Sequence, residues 1–233
     1  KAFKSNLPYS RAVVRGTSYV QTCFAIESHV DMLASRIGID PFEFRRINVQ
    51  YPAFVNLIDS CAERIGYKGD INDLEADEGI GIAMVKHGGA QLGVISAKVH
   101  VDRATGKVNV KQIYATFDVG IVVNEPTAVV GIRGGIMMGL GYVFKENINT
   151  DGWGTYTEYL NEYGIPRFSD VPPVIDIKFL DNLQPGGSVR GLGEMPVVPT
   201  IGAIANAISH AIGVRFYSTP ITPEKIRTAL GTD

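Results

Sequence analysis

The residue with the clearest chemical potential is Glu194, which lies between a glycine-rich turn and a proline-interrupted stretch in RGLGEMPVVPT. Gly191 and Gly193 lack a Cβ, so the backbone before the carboxylate can adopt positive φ angles and lie close to a ligand. Pro196 fixes its own φ angle and restricts the residue before it. A carboxylate with a defined direction can act as a general base, or equally as an acid that favours a helix N-terminus.

The histidines and cysteines do not form a metal-binding pattern. No two histidines are spaced at i, i+4, and we interpret each as a surface or strand residue. They are His29, His87, His100 and His210. Cys23 and Cys61 are too few for an iron–sulfur cluster, and we expect both to be reduced residues of the core. The sequence also has no G-x-S-x-G elbow and no Walker loop, so it predicts no protein-held metal and no standard nucleotide or serine-hydrolase site.

Composition limits the class of protein. The 233 residues are 45% hydrophobic, which suits one large domain or two small ones with an ordinary core. The net charge is −2 without a run of Lys or Arg, so nucleic-acid binding is not expected. The longest apolar stretch, Thr127–Phe144, carries Arg133 and five glycines, which favours a buried helix over a membrane span. We see no secretory leader and expect a cytoplasmic location, with a periplasmic one left open.

Helical periodicity dominates the first third of the chain. Apolar residues that repeat at three and four positions predict a helix from about Val20 to Ile37, ended by Gly38. They are Cys23, Ile26, Val30, Leu33 and Ile37. In IDPFEFRRIN, Asp40 is a candidate N-cap for a second, short helix. A third helix is expected from about Pro52 to Ile65.

The period changes to two after an acidic linker, which predicts an α+β architecture. Alternating apolar residues indicate a hairpin that turns near Thr105 and Gly106, with further strands at Gly79–Val85 and Val174–Phe179. A helix with glycines every fourth residue lies between these strands and should present a smooth face for close packing. These glycines are Gly131, Gly135 and Gly139. We divide the chain into a helical segment, residues 1–69, and an α+β portion, residues 79–233.

Four segments occur in an order that is typical of one enzyme family. RGLGEMPVVPTIGAIANAIS and the following GVRFYSTPITPEKI resemble the C-terminal motif of the molybdenum hydroxylases, the family of xanthine dehydrogenase and aldehyde oxidoreductase. VRGTSYVQTCFAIESHVDMLASRIGIDPFEFRRIN resembles its arginine-glycine loop and following helix. VHVDRATGKVNVKQIYATFDVGIVVNEP resembles its strand pair, and GGIMMGLGY completes the set.

The resemblance implies a fold, a cofactor and a reaction. The fold would be the molybdopterin-binding domain of the aldehyde oxidoreductase and xanthine dehydrogenase type, a mixed sheet with packed helices. Molybdopterin, in a cytosine dinucleotide form, would hold the metal, and Glu194 would be the general base that helps to oxidise an N-heterocycle, purine or aldehyde with water-derived oxygen. Thr17 falls where some relatives place an aromatic residue that stacks on the substrate. The cofactor-binding residues implied by the match are Val14, Arg15, Gly16, Gly191, Leu192 and Gly193.

Three positions depart from the family pattern. Gly131 occupies the place of a glutamine that contacts the cofactor, and Arg133 replaces an acid. Met195 follows the glutamate where many relatives have proline, which we expect to loosen the turn. For Arg15, the alternative to a place in the cofactor loop is an ordinary surface salt bridge.

The chain does not contain every part that the resemblance calls for. The family's upstream glycine-rich loop and its iron–sulfur and flavin modules do not occur in it, so we expect no turnover from this chain alone. Partners would supply another molybdopterin-binding portion, a 2Fe-2S subunit, and a flavin (FAD) or cytochrome subunit. Two alternatives stay open: a non-catalytic structural subunit of such a complex, and a metal-free acid–base hydrolase or isomerase. The second would require another catalytic group beside Glu194, and the sequence offers no obvious one among the histidines.

Overall fold

The computed structural model describes residues 13–71, 73–88, 90–149, 157–180 and 187–232. Within these ranges the chain forms seven α-helices, one short 3₁₀ turn and four β-strands. The helices are α1 (Tyr19–Ile37), α2 (Pro41–Asn48), α3 (Ala53–Ile65), α4 (Glu125–Phe144), α5 (Leu160–Tyr163), α6 (Val197–Ile212) and α7 (Pro223–Leu230), and the 3₁₀ turn is Phe168–Asp170. The strands are β1 (Glu78–His87), β2 (Gln91–Asp102), β3 (Lys107–Asp118) and β4 (Val174–Phe179).

Local signals in the sequence set the ends of the first three helices. The Asp40 carboxylate accepts hydrogen bonds from Phe42 N at 2.8 Å and Glu43 N at 3.4 Å, which caps α2 as predicted. Gly38 and Gly66 end α1 and α3 in the left-handed conformation, with φ angles of 69° and 76°. The three predicted helices are therefore confirmed to within a residue or two.

The strands form one mixed sheet in the order β1-β2-β3-β4. β1 is antiparallel to β2, β2 is antiparallel to β3, and β4 lies parallel to β3. The predicted hairpin and the two further strands are confirmed. However, β1 runs to His87 rather than Val85, and β2 already begins at Gln91, where these two residues are paired. The sheet therefore extends to residues that sequence periodicity had left outside it.

Helices cover both faces of the sheet, which confirms an α+β fold with a mixed sheet and packed helices. On one face, α6 packs across β1 and β2, and α1 and α4 pack against α6. On the other face, α2 and α3 enclose a second apolar cluster. Cys23 and Cys61 are unpaired and buried, as expected. The proposed division of the chain between residues 69 and 79 stays a prediction.

Two glycines of β1 let α6 approach the sheet closely. A Cβ at Gly79 would lie 2.0 Å from Ala207 O, and one at Gly81 would lie 2.1 Å from Ala203 O. Any side chain at either position would therefore force the helix away from the strand. This contact fixes α6, whose N-terminal end follows directly after Glu194.

The buried face of α1 differs from the apolar stripe in its sequence. Ile26, Leu33 and Ile37 are exposed, whereas Glu27 and Asp31 are buried. The apolar spacing located the helix correctly but did not identify its inner face. That inner face carries acids because cationic partners lie opposite them in the core.

The acids of α1 belong to a buried ionic network, which we call the sealed network. Arg45 is almost completely buried and reaches Glu27 Oε2 at 2.9 Å and Asp31 Oδ1 at 2.8 Å. His210 Nε2 lies 2.7 Å from Asp31 Oδ2, and Arg215 lies 3.5 Å from the same oxygen. Burial opposes ionisation of Asp31, but Arg45, His210 and Arg215 outweigh it and lower its pKa from 3.8 to about 2.

One described helix, α4, is long and apolar enough to cross a membrane by length and composition alone. Several of its apolar side chains, among them Ile132, Ile136 and Val143, are buried within the protein core. α4 packs against α6 and touches β4. This arrangement agrees with the expected buried helix.

Candidate functional site

Glu194 lies in the turn that leads into α6, with its side chain 40% exposed. The next residue, Met195, is completely buried, and its carbonyl accepts a hydrogen bond from Val198 N at 3.1 Å. The turn is therefore anchored in the core at the residue beside the carboxylate. Although Met195 was expected to loosen the turn, its side chain ties the turn to the core.

Arg15 joins the three segments in which the sequence placed the site. Its Nε donates to Gly193 O, one residue before the candidate base, and its Nη2 donates to Gly131 O on α4 at 3.0 Å. Burial lowers the pKa of the Arg15 guanidinium, while the negative charge of Glu194 opposes that shift. The hydrogen-bond partners of Arg15 are thus main-chain carbonyls, which is a structural role at the site.

Gly16 explains how Arg15 comes so close to α6. Its φ angle is 83°, and a Cβ would lie 2.8 Å from side-chain carbons of both Val20 and Val197. A larger residue would therefore be strained and would clash with the first turn of α6. The arginine-glycine loop and the Glu194 turn are held against each other by this contact.

The glycine-spaced face of α4 also serves the site. A Cβ at Gly135 would lie 2.7 Å from Pro196 Cβ and 3.2 Å from Arg15 Cζ. A Cβ at Gly139 would lie 2.6 Å from Thr200 Cβ. The predicted smooth face is confirmed, and it leaves room for both α6 and the Arg15 side chain.

The interpretation of His87 as a surface or strand residue was incomplete. Its Nε2 lies 3.0 Å from Glu194 Oε2, and its side chain is 22% exposed. His210 likewise has a specific partner, in the sealed network. The sequence did not show the pairing of His87 because the two residues are distant in the chain and meet only through the end of the β1–β2 hairpin.

A second pair missed by sequence reasoning fixes the start of the Gly-Glu segment. Arg190 Nη1 donates to Asp118 Oδ1 at 3.0 Å and to Ala90 O at 2.9 Å. Asp118 is buried at the end of β3. Gly120 and Val189 form an isolated antiparallel bridge beside this pair. Both charged residues lie in segments that resemble the family. That shared resemblance is the sequence signal that could have suggested that the two residues form a pair.

The other predicted site residues occupy varied environments. Leu192 is half-buried against the core, and a Cβ at Gly193 would meet no atom within 4 Å. Val14 is exposed, and Thr17 Oγ1 donates to Val14 O at 3.4 Å within the same loop. Open space beside Gly193 is what a ligand lying against the turn would require. The contacts of Val14 and Thr17 with cofactor or substrate stay predictions.

Comparison with known proteins decides the family. Two models of the molybdopterin cofactor-binding domain match residues 1–49 and 86–172. The chain is 32% identical, over 94% of its length, to one nicotinate dehydrogenase subunit of Pseudomonas putida. The chain belongs to the molybdenum hydroxylase family. This confirms the assignment that the four sequence segments suggested.

A second relative and a solved structure are also similar to this chain. The chain is 27% identical, over 90% of its length, to the isoquinoline 1-oxidoreductase beta subunit of Brevundimonas diminuta. It superimposes on the structure of aldehyde oxidoreductase from Desulfovibrio gigas with a TM-score of 0.80, at 20% identity, over 94% of this chain and 42% of that one. The predicted molybdopterin-binding fold is thereby confirmed.

This chain spans only a minor part of the length of the relatives it matches. It spans 19% of the Pseudomonas putida relative and 26% of the Brevundimonas diminuta relative. Among its described residues, no group of three or more His, Cys, Asp or Glu side chains could hold a metal ion.

Proposed function

We propose that this chain is the part of a molybdopterin-dependent hydroxylase that supplies the general base, Glu194, and one wall of the cofactor site. The observation that carries the proposal is the hydrogen bonding of Arg15, which joins the arginine-glycine loop to Gly193 and to Gly131. Three segments that are far apart in the sequence meet beside one half-exposed carboxylate. An acid that only stabilises a helix N-terminus would not require three distant segments to meet beside it.

The described residues fit molybdopterin on one side of the turn. Arg15, Gly16, Gly191, Leu192 and Gly193 would line that side, with the open space at Gly193 facing the group. When bound, the cofactor, which we propose to be a cytosine dinucleotide form, would supply the redox metal and the activated water-derived oxygen. The chain would contribute a carboxylate that accepts a proton from this nucleophile. Arg15 would keep the turn that carries the carboxylate in place.

We propose an N-heterocycle as the substrate. Two relatives that match most of this chain are named for nicotinate and isoquinoline, which are both planar N-heterocycles. Aldehydes are the second candidate, because a relative that is 29% identical over 93% of this chain is named as a membrane-bound aldehyde dehydrogenase. Purines are the third, because a relative named as a probable hypoxanthine oxidase matches 59% of this chain. Thr17 cannot stack on a ring, so a planar substrate would need its aromatic contact from elsewhere.

The exposed stripe of α1 supports a place in a larger assembly. Ile26 and Ile37 are more than half exposed, and Leu33 lies between them on the same side of the helix. An apolar helix stripe of this kind is covered by another domain or subunit in a working protein. We propose that the remaining molybdopterin-binding portion, a 2Fe-2S partner and a flavin or cytochrome partner complete a cytoplasmic enzyme.

The test uses the assembled enzyme, purified with this chain in place. Turnover in ¹⁸O-labelled water should place the label in the product, since hydroxylases of this kind take oxygen from water. Glu194→Gln should lower turnover by about 10²- to 10⁴-fold and leave the molybdenum content intact, because the amide cannot accept the proton. Glu43→Gln, an exposed glutamate on α2 at the opposite face of the sheet, is the matched control and should change neither quantity.

The same measurements separate the alternatives. Full turnover of Glu194→Gln would refute the assignment of the base and favour a structural subunit. The pairing of Glu194 with His87 does supply the second group that a metal-free acid–base enzyme would need. Turnover that persists after molybdenum removal would favour that reaction class and would contradict our proposal.

A further inference from the structure

We infer that His87 is a positioning residue for Glu194, acting through a circuit of polar contacts that starts and ends on the Gly-Glu turn. The inference rests on the proposed function of Glu194 as the base. Its elements are the end of the β1–β2 hairpin and the turn before α6. The circuit consists of Gly191, Gln91, His87 and Glu194.

The hairpin places the two side chains of the circuit opposite each other. His87 and Gln91 are direct partners in the antiparallel register of β1 and β2. The Gln91 amide has one orientation that satisfies all its neighbours, in which its oxygen accepts from Gly191 N at 3.2 Å. Its nitrogen then donates to His87 Nδ1 at 3.3 Å and to His87 O. The opposite orientation would set the amide nitrogen against a backbone N–H.

This orientation determines the tautomer of His87. A donor at Gln91 makes Nδ1 an acceptor, so the proton of a neutral imidazole must lie on Nε2. Nε2 is the atom that lies 3.0 Å from Glu194 Oε2. The Nε2–H of a neutral His87 therefore lies beside the carboxylate oxygen, so this contact does not need a charged imidazole.

The ring is also held from the side. The Tyr19 ring lies 4.9 Å from the His87 ring, centroid to centroid, at an interplanar angle of 58°. The adjacent Lys86 points elsewhere, because its Nζ sits 4.1 Å over the Tyr51 ring. Packing and hydrogen bonding thus restrict both the rotation and the tautomer of the imidazole.

The circuit returns to the turn from which it began, three residues further along. It therefore fixes the Glu194 side chain relative to its own backbone rather than to a distant part of the fold. His87 contacts Oε2, so Oε1 would be the oxygen that accepts the proton. A base that is held in its reactive orientation reacts faster than a base that must first rotate into that orientation.

The experiment compares two substitutions of His87 in the assembled, molybdenum-loaded enzyme. His87→Phe keeps a ring but loses the donor, and His87→Gln keeps an N–H donor near the position of Nε2. We expect His87→Phe to lower kcat by roughly 10- to 100-fold at unchanged KM and molybdenum content, since misplacement of a reacting group has this size of effect. His87→Gln should stay within a few-fold of the wild type. The substrate is the best oxidised member of a panel of nicotinate, isoquinoline, quinoline and benzaldehyde.

A double-mutant comparison shows whether His87 acts through Glu194. In single-turnover reduction, His87→Phe should cause no further loss in a Glu194→Gln background, because the two groups work as a unit. An equal loss in both backgrounds would overturn the inference. So would a wild-type kcat for His87→Phe, or a rise in KM without a fall in kcat.

A third variant covers the case in which His87→Phe fails to load molybdenum. Gln91→Leu breaks the circuit but leaves His87 in place, and it should lower kcat in the same direction by a smaller factor. A normal kcat for Gln91→Leu would then contradict the circuit. If Glu194→Gln alone kept full turnover, the proposed function would fail instead, so the two failures are distinguishable.

Discussion

Asp31 and Glu194 each face a histidine, at 2.7 Å from His210 and at 3.0 Å from His87. The Asp31 side chain is completely buried, whereas that of Glu194 is 40% exposed. Asp31 is held by Arg45, His210 and Arg215 in the sealed network, whereas Glu194 lies beside His87, whose orientation we infer to be set by Gln91. The same pair of functional groups therefore holds helices together in one place and is partly exposed to solvent in the other, where we propose that Glu194 acts as the base.

The largest effect on stability should come from removing the Arg45 guanidinium of the sealed network. Arg45→Met would leave Glu27 and Asp31 buried without it, and we expect a loss of about 3–5 kcal/mol in the free energy of unfolding. Urea denaturation measures this loss. Arg46→Met is the matched control, because its ion pairs with Glu43 and Asp59 lie at the surface and should contribute at most about 1 kcal/mol. Equal losses for the two variants would contradict the view that the buried network stabilises the fold more than surface ion pairs do.

The second effect is a loss of stability at low pH. Because the pKa of Asp31 is about 2 in the folded protein against an ordinary 3.8, its contribution is complete above pH 3.8 and is lost as the pH falls towards 2. This contribution amounts to about 2 kcal/mol. Denaturation between pH 5 and pH 2 should show that the wild type loses more stability than Asp31→Asn. Parallel pH dependence in the two proteins would show that Asp31 is not stabilised as an anion.

The third effect concerns packing beside the Glu194 turn, and two adjacent glycines of α4 test it. Gly135→Ala should lower stability by about 1–3 kcal/mol, because its Cβ would lie 2.7 Å from Pro196 and would press on Arg15. Gly134→Ala meets nothing closer than 3.8 Å and should be neutral or stabilising, as alanine favours a helix. Thermal denaturation of both variants provides the comparison. A destabilised Gly134→Ala would contradict the open space that the structure places beside Gly134.

Local rules predicted much of this fold. The cap at Asp40, the left-handed glycines after α1 and α3, and the alternation in β2 and β3 depend on neighbours in sequence, and the structure confirms them. The fourfold glycine spacing of α4 also predicted a packing face correctly. In each case the physical cause lies within about one helical turn or one strand pair.

Features that depend on distant partners could not be read in this way. Only the structure shows Arg45 and His210 beside Glu27 and Asp31, so the apolar spacing of α1 did not identify its inner face. His87 was interpreted as a surface or strand residue because no second histidine lies at i, i+4 from it. Its pairing with Gln91, and hence with the Glu194 turn, exists only once the full register of the hairpin is known.

The most direct test compares the two carboxylates in the assembled enzyme, through the rate at which substrate reduces it in a single turnover. We predict that Glu194→Gln lowers this rate by about 10²- to 10⁴-fold, the usual contribution of a general base, with unchanged molybdenum content and unfolding free energy. Asp31→Asn should instead lower stability while the folded fraction keeps its rate. A wild-type rate for Glu194→Gln would contradict the central claim that the open carboxylate does the chemistry.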